Sequence, residues 1–351
     1  MIAQDEVARS RSDEAVTALT LVRPVATSDL DKVLALARKG GVGLTNLPPD
    51  RAALAKRIAA SEAAVASADA RAAGAAIMLV GEQDGDVVGT AMIFARVGAE
   101  WPFYSYRITR QAAVSRAIGR TKEQRLLNLV NDFDGEVEVG GLFVDPARRG
   151  QALGRLMARV RYLFIARHRD WFAHRVIAEL RGWQEADGRS PVWEAIGRHF
   201  YDMDFHDADR TGAIEGNQFI ADLGPRYPLY LSLLPPDARA ALGRPHDDGR
   251  PARDMLLAEG FRDEGYVDIF DGGPTLVADI DAVKTVRETE PLILVATDGA
   301  GAGALVGTGQ GASFRAAVGP AQRRGGGVAL GPALAAALAV TPDEPLCVAP
   351  A

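Results

Sequence analysis

The sequence predicts an α/β (α+β) protein in which helices flank a mixed β-sheet, with a small β-rich region near its C-terminal end. Apolar, β-rich runs alternate with helical patterns over the first two hundred residues. An Asp-Gly turn at 84–85 joins two such runs, which favours an antiparallel hairpin. From about residue 290 the runs become short and are separated by glycine clusters, which is typical of a second, β-rich unit.

Composition limits the classes of function. The 351 residues are 48% hydrophobic and 25% charged, enough for two domains or for one large domain with an appendage. The formal net charge of −6 argues against a nucleic-acid partner. No apolar run reaches the roughly 18–20 residues that span a bilayer, and residues 1–19 lack the apolar core of a secretory signal. We therefore expect a cytoplasmic protein without a membrane partner.

The first half of the chain can be assigned element by element. Residues 1–19 mix both charges, and we expect a disordered or variable extension there. An apolar strand follows at 19–24, and then a helix for which Ser28 is the expected N-cap. A second helix begins after Pro49 and runs to about residue 68, before the predicted hairpin. Residues 98–135 predict irregular structure.

The stretch 136–157 predicts a strand, a basic glycine-containing turn and a helix. Arg149 and Gly150 lie in the turn, and Gly154 lies one turn into the helix. The first N–H groups of a helix have no partners within it and carry the positive end of its dipole, so they bind phosphates well. Taken alone, the same pattern is also typical of ordinary packing between a strand and a helix.

The second half continues with a buried strand at 176–180 and a helix that Ser190 caps and Pro191 begins. A helix at about 251–259 and a strand at 266–270 follow. We expect one domain over 20–284 and a small β-rich region over 285–351. The single cysteine, Cys347, excludes an intrachain disulfide and a thiolate metal site.

The strand, basic turn and helix resemble those of the GNAT superfamily of CoA-dependent N-acyltransferases. The turn pattern of that superfamily falls here on residues 149–154, with Ala152 in place of a glycine. The resemblance implies that the strand splays from its neighbour and pairs with pantetheine, while the turn holds the pyrophosphate. Arg149, Gly150 and Gly154 are then CoA-binding residues. Alanine is tolerated at position 152 if its φ angle stays negative.

Longer segments resemble the arginine N-succinyltransferase family over roughly residues 20–285. They are VRPVATSDL at 22–30, GVGLTNLPPD at 41–50, GLFVDP at 141–146, VIAELRG at 176–182, RSPVWEAIGRHFYDMDF at 189–205, GNQFIADLGPRYPLY at 216–230 and EGFRDEGYVDIFDGGPTL at 259–276. The resemblance implies transfer of the succinyl group of succinyl-CoA to the α-amine of L-arginine, in arginine catabolism. Succinyl-CoA is then a co-substrate, and no cofactor is bound permanently.

Two functional positions follow from this resemblance. The family's succinyl-CoA contact falls on Leu142, and its proton-donating histidine falls on His246. Backbone N–H groups near Leu142 and Val144 are candidates for polarising the thioester carbonyl. A leucine in a strand is also an ordinary core residue, and a histidine in a polar loop is also an ordinary surface residue.

The base and the groups that bind arginine stay open at this point. Glu136 and Glu138 share one strand face and are candidates for the base, although alternating acids often face solvent. Asp268 and Asp271 are candidates for the guanidinium, although Asp271 precedes a glycine as turn residues often do. No histidine pair has metal-ligand spacing, so we expect no metal site.

Two other functions are compatible with the sequence. The first is an N-acyltransferase for ornithine, for another amine or for another acyl-CoA, since 105–135 and 147–152 depart from the family pattern. The second is a non-catalytic subunit of a heteromeric succinyltransferase. We expect a homo- or hetero-oligomer of related subunits.

Overall fold

The computed structural model describes residues 19–40, 47–148, 152–208, 211 and 218–351. The strands are β1 Leu21–Pro24, β2 Ala76–Gln83, β3 Asp86–Phe94, β4 Ser105–Ser115, β5 Arg120–Val130, β6 Val137–Val144, β7 Arg175–Glu179, β8 Leu229–Tyr230, β9 Arg262–Val267, β10 Pro274–Asp279, β11 Glu290–Ala296, β12 Gly303–Thr308, β13 Arg315–Arg324, β14 Gly327–Leu330 and β15 Pro345–Pro350. The α-helices are α1 Leu30–Ala37, α2 Arg51–Ala66, α3 Ala68–Ala72, α4 Leu153–Arg167, α5 Pro191–Ala195, α6 Gly197–Tyr201, α7 Gln218–Leu223, α8 Pro236–Ala241, α9 Arg250–Ala258, α10 Lys284–Arg287 and α11 Pro332–Leu338. The extension predicted over residues 1–19 lies outside the described residues, except for Leu19.

The main sheet has the strand order β1-β2-β3-β6-β7-β10-β9-β4-β5-β8. Its neighbouring strands are antiparallel except β6 and β7, which are parallel. Strand β2 shows how both faces are covered: Ile77 and Leu79 pack in the core that contains α4, whereas Met78 and Val80 pack against α1 and α2. This alternation follows from the two-residue period of a strand. The predicted mixed sheet with flanking helices is confirmed.

Two hairpins show where local sequence signals suffice. The predicted hairpin of β2 and β3 is confirmed, and both turn residues, Asp84 and Gly85, have positive φ angles of 51° and 84°. The expectation of irregular structure at 98–135 is wrong, because β4 and β5 form a hairpin paired from Ser105–Val130 to Ser115–Arg120. Its outer half is exposed on both faces, so no alternation of apolar and polar residues marks it.

Helix and strand ends were predicted with mixed success. Ser190 caps α5 as predicted, because its Oγ accepts from the Trp193 N–H at 3.2 Å. Ser28 caps no helix: it lies inside a 3₁₀ turn, Thr27–Asp29, and α1 begins at Leu30. The strand predicted at 266–270 is β9, which ends at Val267.

The C-terminal strands form a small closed unit. They pair in the order β12-β15-β11-β14-β13, and a further pairing of β12 with β13 closes the ring. The unit meets the main sheet through β1, where Val22 pairs with Ala316. Phe314 and Cys347 join the core around α4. The β-rich C-terminal region is confirmed, whereas its boundary at residue 285 stays a prediction. Among the described residues, no helix combines the length and apolar character that a membrane crossing requires.

Candidate active site

The parallel strands β6 and β7 form a fork. They pair only at Val137–Val176 and Glu138–Ile177, where the two strands lie side by side. Beyond this point β6 stays paired with β3 up to Val144, while β7 ends at Glu179. The fork opens into a cleft of about 1300 Å³, which is also lined by α4, α9 and the turn after β9. This is the splayed strand pair that the sequence predicted.

A β-bulge in β6 bends the strand at the mouth of the fork. The pairing of β6 with β3 shifts between Thr90 and Met92, so Gly141 and Leu142 together oppose Ala91. Gly141 has a φ of +54°, and a Cβ built there would lie 2.6 Å from Cγ of Met92. Glycine is therefore required at this position. A bulge increases the local twist, which turns β6 away from β7.

The bulge presents backbone polar groups to the cleft. Leu142 lines the cleft directly. The Asp145 N–H donates to the Val88 carbonyl at 2.9 Å, so the amide of Val144 points away from β3, because amides alternate in direction along an antiparallel strand. Leu142 and Val144 therefore both lie on the splayed part of β6, although the Val144 side chain does not line the cleft.

The helix after the turn begins in a strained conformation. Ala152, the N-cap of α4, has a φ of +58°, in the left-handed region. The condition under which alanine is tolerated at this position, a negative φ, is not met, and an alanine there costs about 1–2 kcal/mol. In the first helical turn, a Cβ at Gly154 would meet nothing within 4 Å, so the space above it is open. Arg149 and Gly150 lie outside the described residues, and their role stays a prediction.

Three carboxylates lie together at one end of the cleft. They are Glu138 of β6, Glu179 at the end of β7 and Asp268 in the turn after β9. Burial raises the pKa of Glu138 to about 7. Burial and the Asp268 charge raise the pKa of Glu179 well above its usual range, and burial with the Asp271 charge does so for Asp268. This acidic trio favours a cationic ligand.

Contacts in the structure distinguish between the acidic residues that the sequence offered as candidates for the base and for guanidinium binding. Glu136 Oε2 accepts from the Arg175 N–H at 3.1 Å and does not line the cleft, whereas Glu138 does. Asp271 lines the cleft, but its carboxylate also accepts from the N–H groups of Gly182 at 2.7 Å and Gly273 at 2.9 Å. Asp268 also accepts two backbone N–H bonds, from Phe270 at 2.7 Å and Asp271 at 2.8 Å, but both fall on Oδ1, whereas the bonds of Asp271 use both of its oxygens.

His246 lies beside the cleft and does not line it. Its backbone N–H donates to the Arg181 carbonyl at 2.8 Å, and the Arg181 side chain lines the cleft. The imidazole Nδ1 accepts from the Asp248 N–H at 3.2 Å, so in the neutral ring we assign the proton to Nε2. The side chain is 25% exposed, which leaves Nε2 room to reach a ligand.

The part of the cleft that α4 lines is basic. Arg155, Arg159 and Arg161 of α4 all line it. Arg159 pairs with Glu259 at 3.2 Å, whereas Arg161 is 4% exposed and donates to backbone carbonyls. Sequence reasoning missed Arg161 and Glu179. The signal was a charged residue inside an otherwise apolar pattern, in MARVRYLFI and in VIAEL.

Cys347 takes no part in this cleft. It is buried, its Sγ–H donates to the Gly307 carbonyl at 3.3 Å, and burial raises its pKa to about 11. In the described part of the chain, no group of His, Cys, Asp and Glu side chains is arranged to hold a metal ion.

The fork, the bulge and the helix that follows the turn define a GNAT-like acyltransferase fold, whose members use an acyl-CoA. A family model described as arginine N-succinyltransferase beta subunit matches residues 20–285. The model of that family's C-terminal domain matches residues 289–350. The chain therefore belongs to the arginine N-succinyltransferase beta subunit family.

Known relatives agree with this assignment. The chain is 39% identical over 274 residues to the arginine N-succinyltransferase subunit beta of Pseudomonas aeruginosa, covering 78% of this chain and 81% of that protein. It is 41% identical over 278 residues to the arginine N-succinyltransferase of Yersinia pestis, covering 79% of each. The solved structure of arginine/ornithine succinyltransferase subunit AI from Pseudomonas aeruginosa superposes with a TM-score of 0.84 at 32% identity, over 95% of this chain and 99% of that one.

Proposed function

We propose that the protein transfers the succinyl group of succinyl-CoA to the α-amine of L-arginine, giving N2-succinylarginine and CoA. The observation that carries the proposal is the charge layout of one cleft. Arginines of α4 and the acidic trio of Glu138, Glu179 and Asp268 line the same cleft. An anionic acyl donor and a cationic acceptor can therefore bind side by side.

The donor binds along β6 and α4 in this proposal. The first N–H groups of α4, with Arg149, Gly150 and the open space at Gly154, hold the pyrophosphate. The pantetheine pairs with the splayed part of β6. Backbone N–H groups at Leu142 and Val144 then donate hydrogen bonds to the thioester carbonyl oxygen and stabilise the negative charge that develops on it.

The acceptor binds at the acidic end. Glu179 and Asp268 hold the guanidinium, because two carboxylates at a half-buried site bind that planar cation strongly. Glu138 removes a proton from the α-ammonium group, and a pKa of about 7 is suited to a base that works near neutral pH. The free amine attacks the thioester carbon, its nitrogen loses a second proton to water, and the C–S bond breaks as the amide forms.

His246 protonates the departing CoA thiolate in this proposal. The proton comes from Nε2–H of the imidazolium form, whose Nδ1–H can pair with Asp248 Oδ2 at 3.7 Å, and its loss leaves a neutral ring. Its position next to Arg181 brings it to the edge of the cleft. The reaction is a direct transfer without an acyl-enzyme intermediate, because the only thiol, Cys347, is buried in the core around α4.

The proposal includes an oligomer of related subunits, which the beta-subunit name of the family supports. It also includes the cytoplasmic location that the sequence predicts. Ornithine is the second acceptor to consider, because the solved relative is named arginine/ornithine succinyltransferase.

The test is release of free CoA thiol when the purified full chain is mixed with succinyl-CoA and arginine. We expect release that depends on arginine between about pH 7 and 9, where histidine and α-amines titrate. Release of CoA with ornithine but not with arginine would show that ornithine, and not arginine, is the acceptor. No release with either amine, although the chain binds succinyl-CoA, would overturn the proposal in favour of a non-catalytic subunit.

A further inference from the structure

Arg161 is a buried cation at the floor of the cleft. It is 4% exposed, and it is the arginine whose guanidinium reaches the splayed part of β6. Its Nε donates to the Ala158 carbonyl at 3.0 Å and its Nη1 to the Gly140 carbonyl at 3.4 Å. Both partners are neutral carbonyl groups. Within the described ranges no carboxylate oxygen lies within 4.0 Å of its guanidinium nitrogens, and the charge of Glu259, which pairs with Arg159, acts on it only from a greater distance.

Arg159 on the same helix shows the contrast. Its Nε lies 3.2 Å from Glu259 Oε1 and 3.0 Å from Thr285 Oγ1, and its Nη2 donates to the Pro350 carbonyl at 2.7 Å. Its charge is compensated within the protein. A buried cation without an acidic partner is costly, so Arg161 is a candidate for a charge that an anionic ligand compensates.

The position of Arg161 matches one part of the donor. The Gly140 carbonyl that it contacts lies two residues before Leu142, where the proposed function places the thioester carbonyl. Two residues of an extended strand span about 6.6 Å. The carboxylate of a succinyl group lies three carbon–carbon bonds from the thioester carbonyl carbon. A succinyl chain that follows β6 from Leu142 towards Glu138 therefore brings its carboxylate next to Arg161.

We propose that Arg161 binds the terminal carboxylate of the succinyl group and so selects a dicarboxylic acyl-CoA over acyl-CoAs with apolar chains. This inference rests on the proposed function for the direction in which the acyl chain runs. The guanidinium has a planar fork of N–H donors that matches a carboxylate, and the low exposure of the site strengthens the pair.

The test compares succinyl-CoA with butyryl-CoA, which has a methyl group in place of the carboxylate. Arg161→Met keeps most of the unbranched apolar stem of the side chain and removes the charge. We expect the ratio of kcat/KM for succinyl-CoA over butyryl-CoA to fall by about 10- to 100-fold, as expected for loss of a hydrogen bond to a charged group. The matched control is Arg155→Met, one to two turns earlier on α4 and exposed, which should weaken both donors equally.

Three results would overturn the proposal. The first is a wild-type protein that does not discriminate between the two donors. The second is an equal fall for both donors in Arg161→Met, which indicates a structural role. The third is a donor ratio that Arg161→Met leaves unchanged while the preference for arginine over agmatine changes. Agmatine lacks the α-carboxylate, so this result would place the α-carboxylate of arginine at Arg161 instead.

A second variant and a binding measurement keep the test decisive if Arg161→Met does not fold or if arginine is not acylated. If Arg161→Met does not fold, Arg161→Lys keeps a cation without the fork, and we expect a smaller fall of the same ratio. Binding titrations of succinyl-CoA and butyryl-CoA need no acceptor amine. A preference for succinyl-CoA in binding that Arg161→Lys reduces would support the role of Arg161 even if the protein failed to acylate arginine.

Discussion

Glu138 gives the most direct test of the proposed chemistry, because one substitution should change stability and turnover in opposite directions. We consider Glu138→Gln, which replaces the carboxyl group by a neutral group of the same shape. The folded protein raises the pKa of Glu138 from 4.5 to about 7, and burial is the cause. At 1.36 kcal/mol for each pKa unit, this is about 3 kcal/mol of preference for the neutral form. Because the carboxyl faces the open cleft, we expect about 1–3 kcal/mol.

The sign of the pH dependence follows from linkage. Below about pH 4.5 the carboxyl is protonated in both folded and unfolded states, so it carries no penalty. As the pH rises, the unfolded state loses its proton first and becomes favoured. The penalty grows up to about pH 7 and is constant above it. Glu138→Gln should therefore be about 1–3 kcal/mol more stable than wild type at pH 8 and nearly equal to it at pH 4.5.

The assay is denaturant unfolding at both pH values, together with kcat/KM across the pH range. We expect wild-type kcat/KM to rise through about pH 7 as Glu138 loses its proton, and the variant to lose 10²–10⁴-fold in turnover. Glu136→Gln is the matched control, because its side chain can still accept from the Arg175 N–H and lies outside the cleft. A stability difference independent of pH, or full turnover in Glu138→Gln, would refute this argument.

Three further predictions test other parts of the site. His246→Ala should lower turnover at least 10²-fold and leave CoA affinity within about threefold, as titration of CoA would show, and unchanged turnover would remove the proton-donor role. Gly141→Ala should lose about 2–4 kcal/mol of unfolding free energy from its positive φ and the clash with Met92. The control is Gly154→Ala, where the added Cβ meets open space, so this variant should keep its stability but bind CoA more weakly. Equal free energies of unfolding for the two variants would contradict this account. Cys347→Ala should retain turnover with arginine, whereas its loss would implicate an acyl-enzyme.

The fold could be predicted wherever the local sequence and the tertiary structure agree. The Asp84–Gly85 turn requires positive φ angles, and the Ser190 cap satisfies a helix N–H, so both are visible in a few residues. The hairpin of β4 and β5 was missed because its outer strands are solvated on both faces. Ser28 was misplaced because Asp29, which accepts from the Ala26 N–H and from Arg23, fixes a 3₁₀ turn before the helix.

Individual site residues could be predicted from a family pattern or, as for Glu138 and Asp268, from residue type, but their assembly could not. Leu142 and His246 came from resemblance, and Leu142 lies in the fork while His246 lies at the edge of the cleft. The acidic trio could not be predicted from spacing, since its members come from positions 138, 179 and 268 and meet only through the order β6-β7-β10-β9. The positive φ of Ala152 could not be predicted, because a sequence does not report the backbone angle at a helix N-cap.

The structure also explains why opposite charges in one cleft do not neutralise each other. The acids lie on β6, β7 and the turn after β9, whereas the arginines lie on α4. Arg159 is compensated by Glu259, but Glu138, Glu179 and Asp268 have no ion pair with an arginine or lysine of the described chain. A cleft in which acids hold raised pKa values and Arg161 lacks an acidic partner is electrostatically incomplete without ligands. In the proposed function an anionic donor and a cationic acceptor supply the missing charges, so the charges of the cleft help to orient the two substrates.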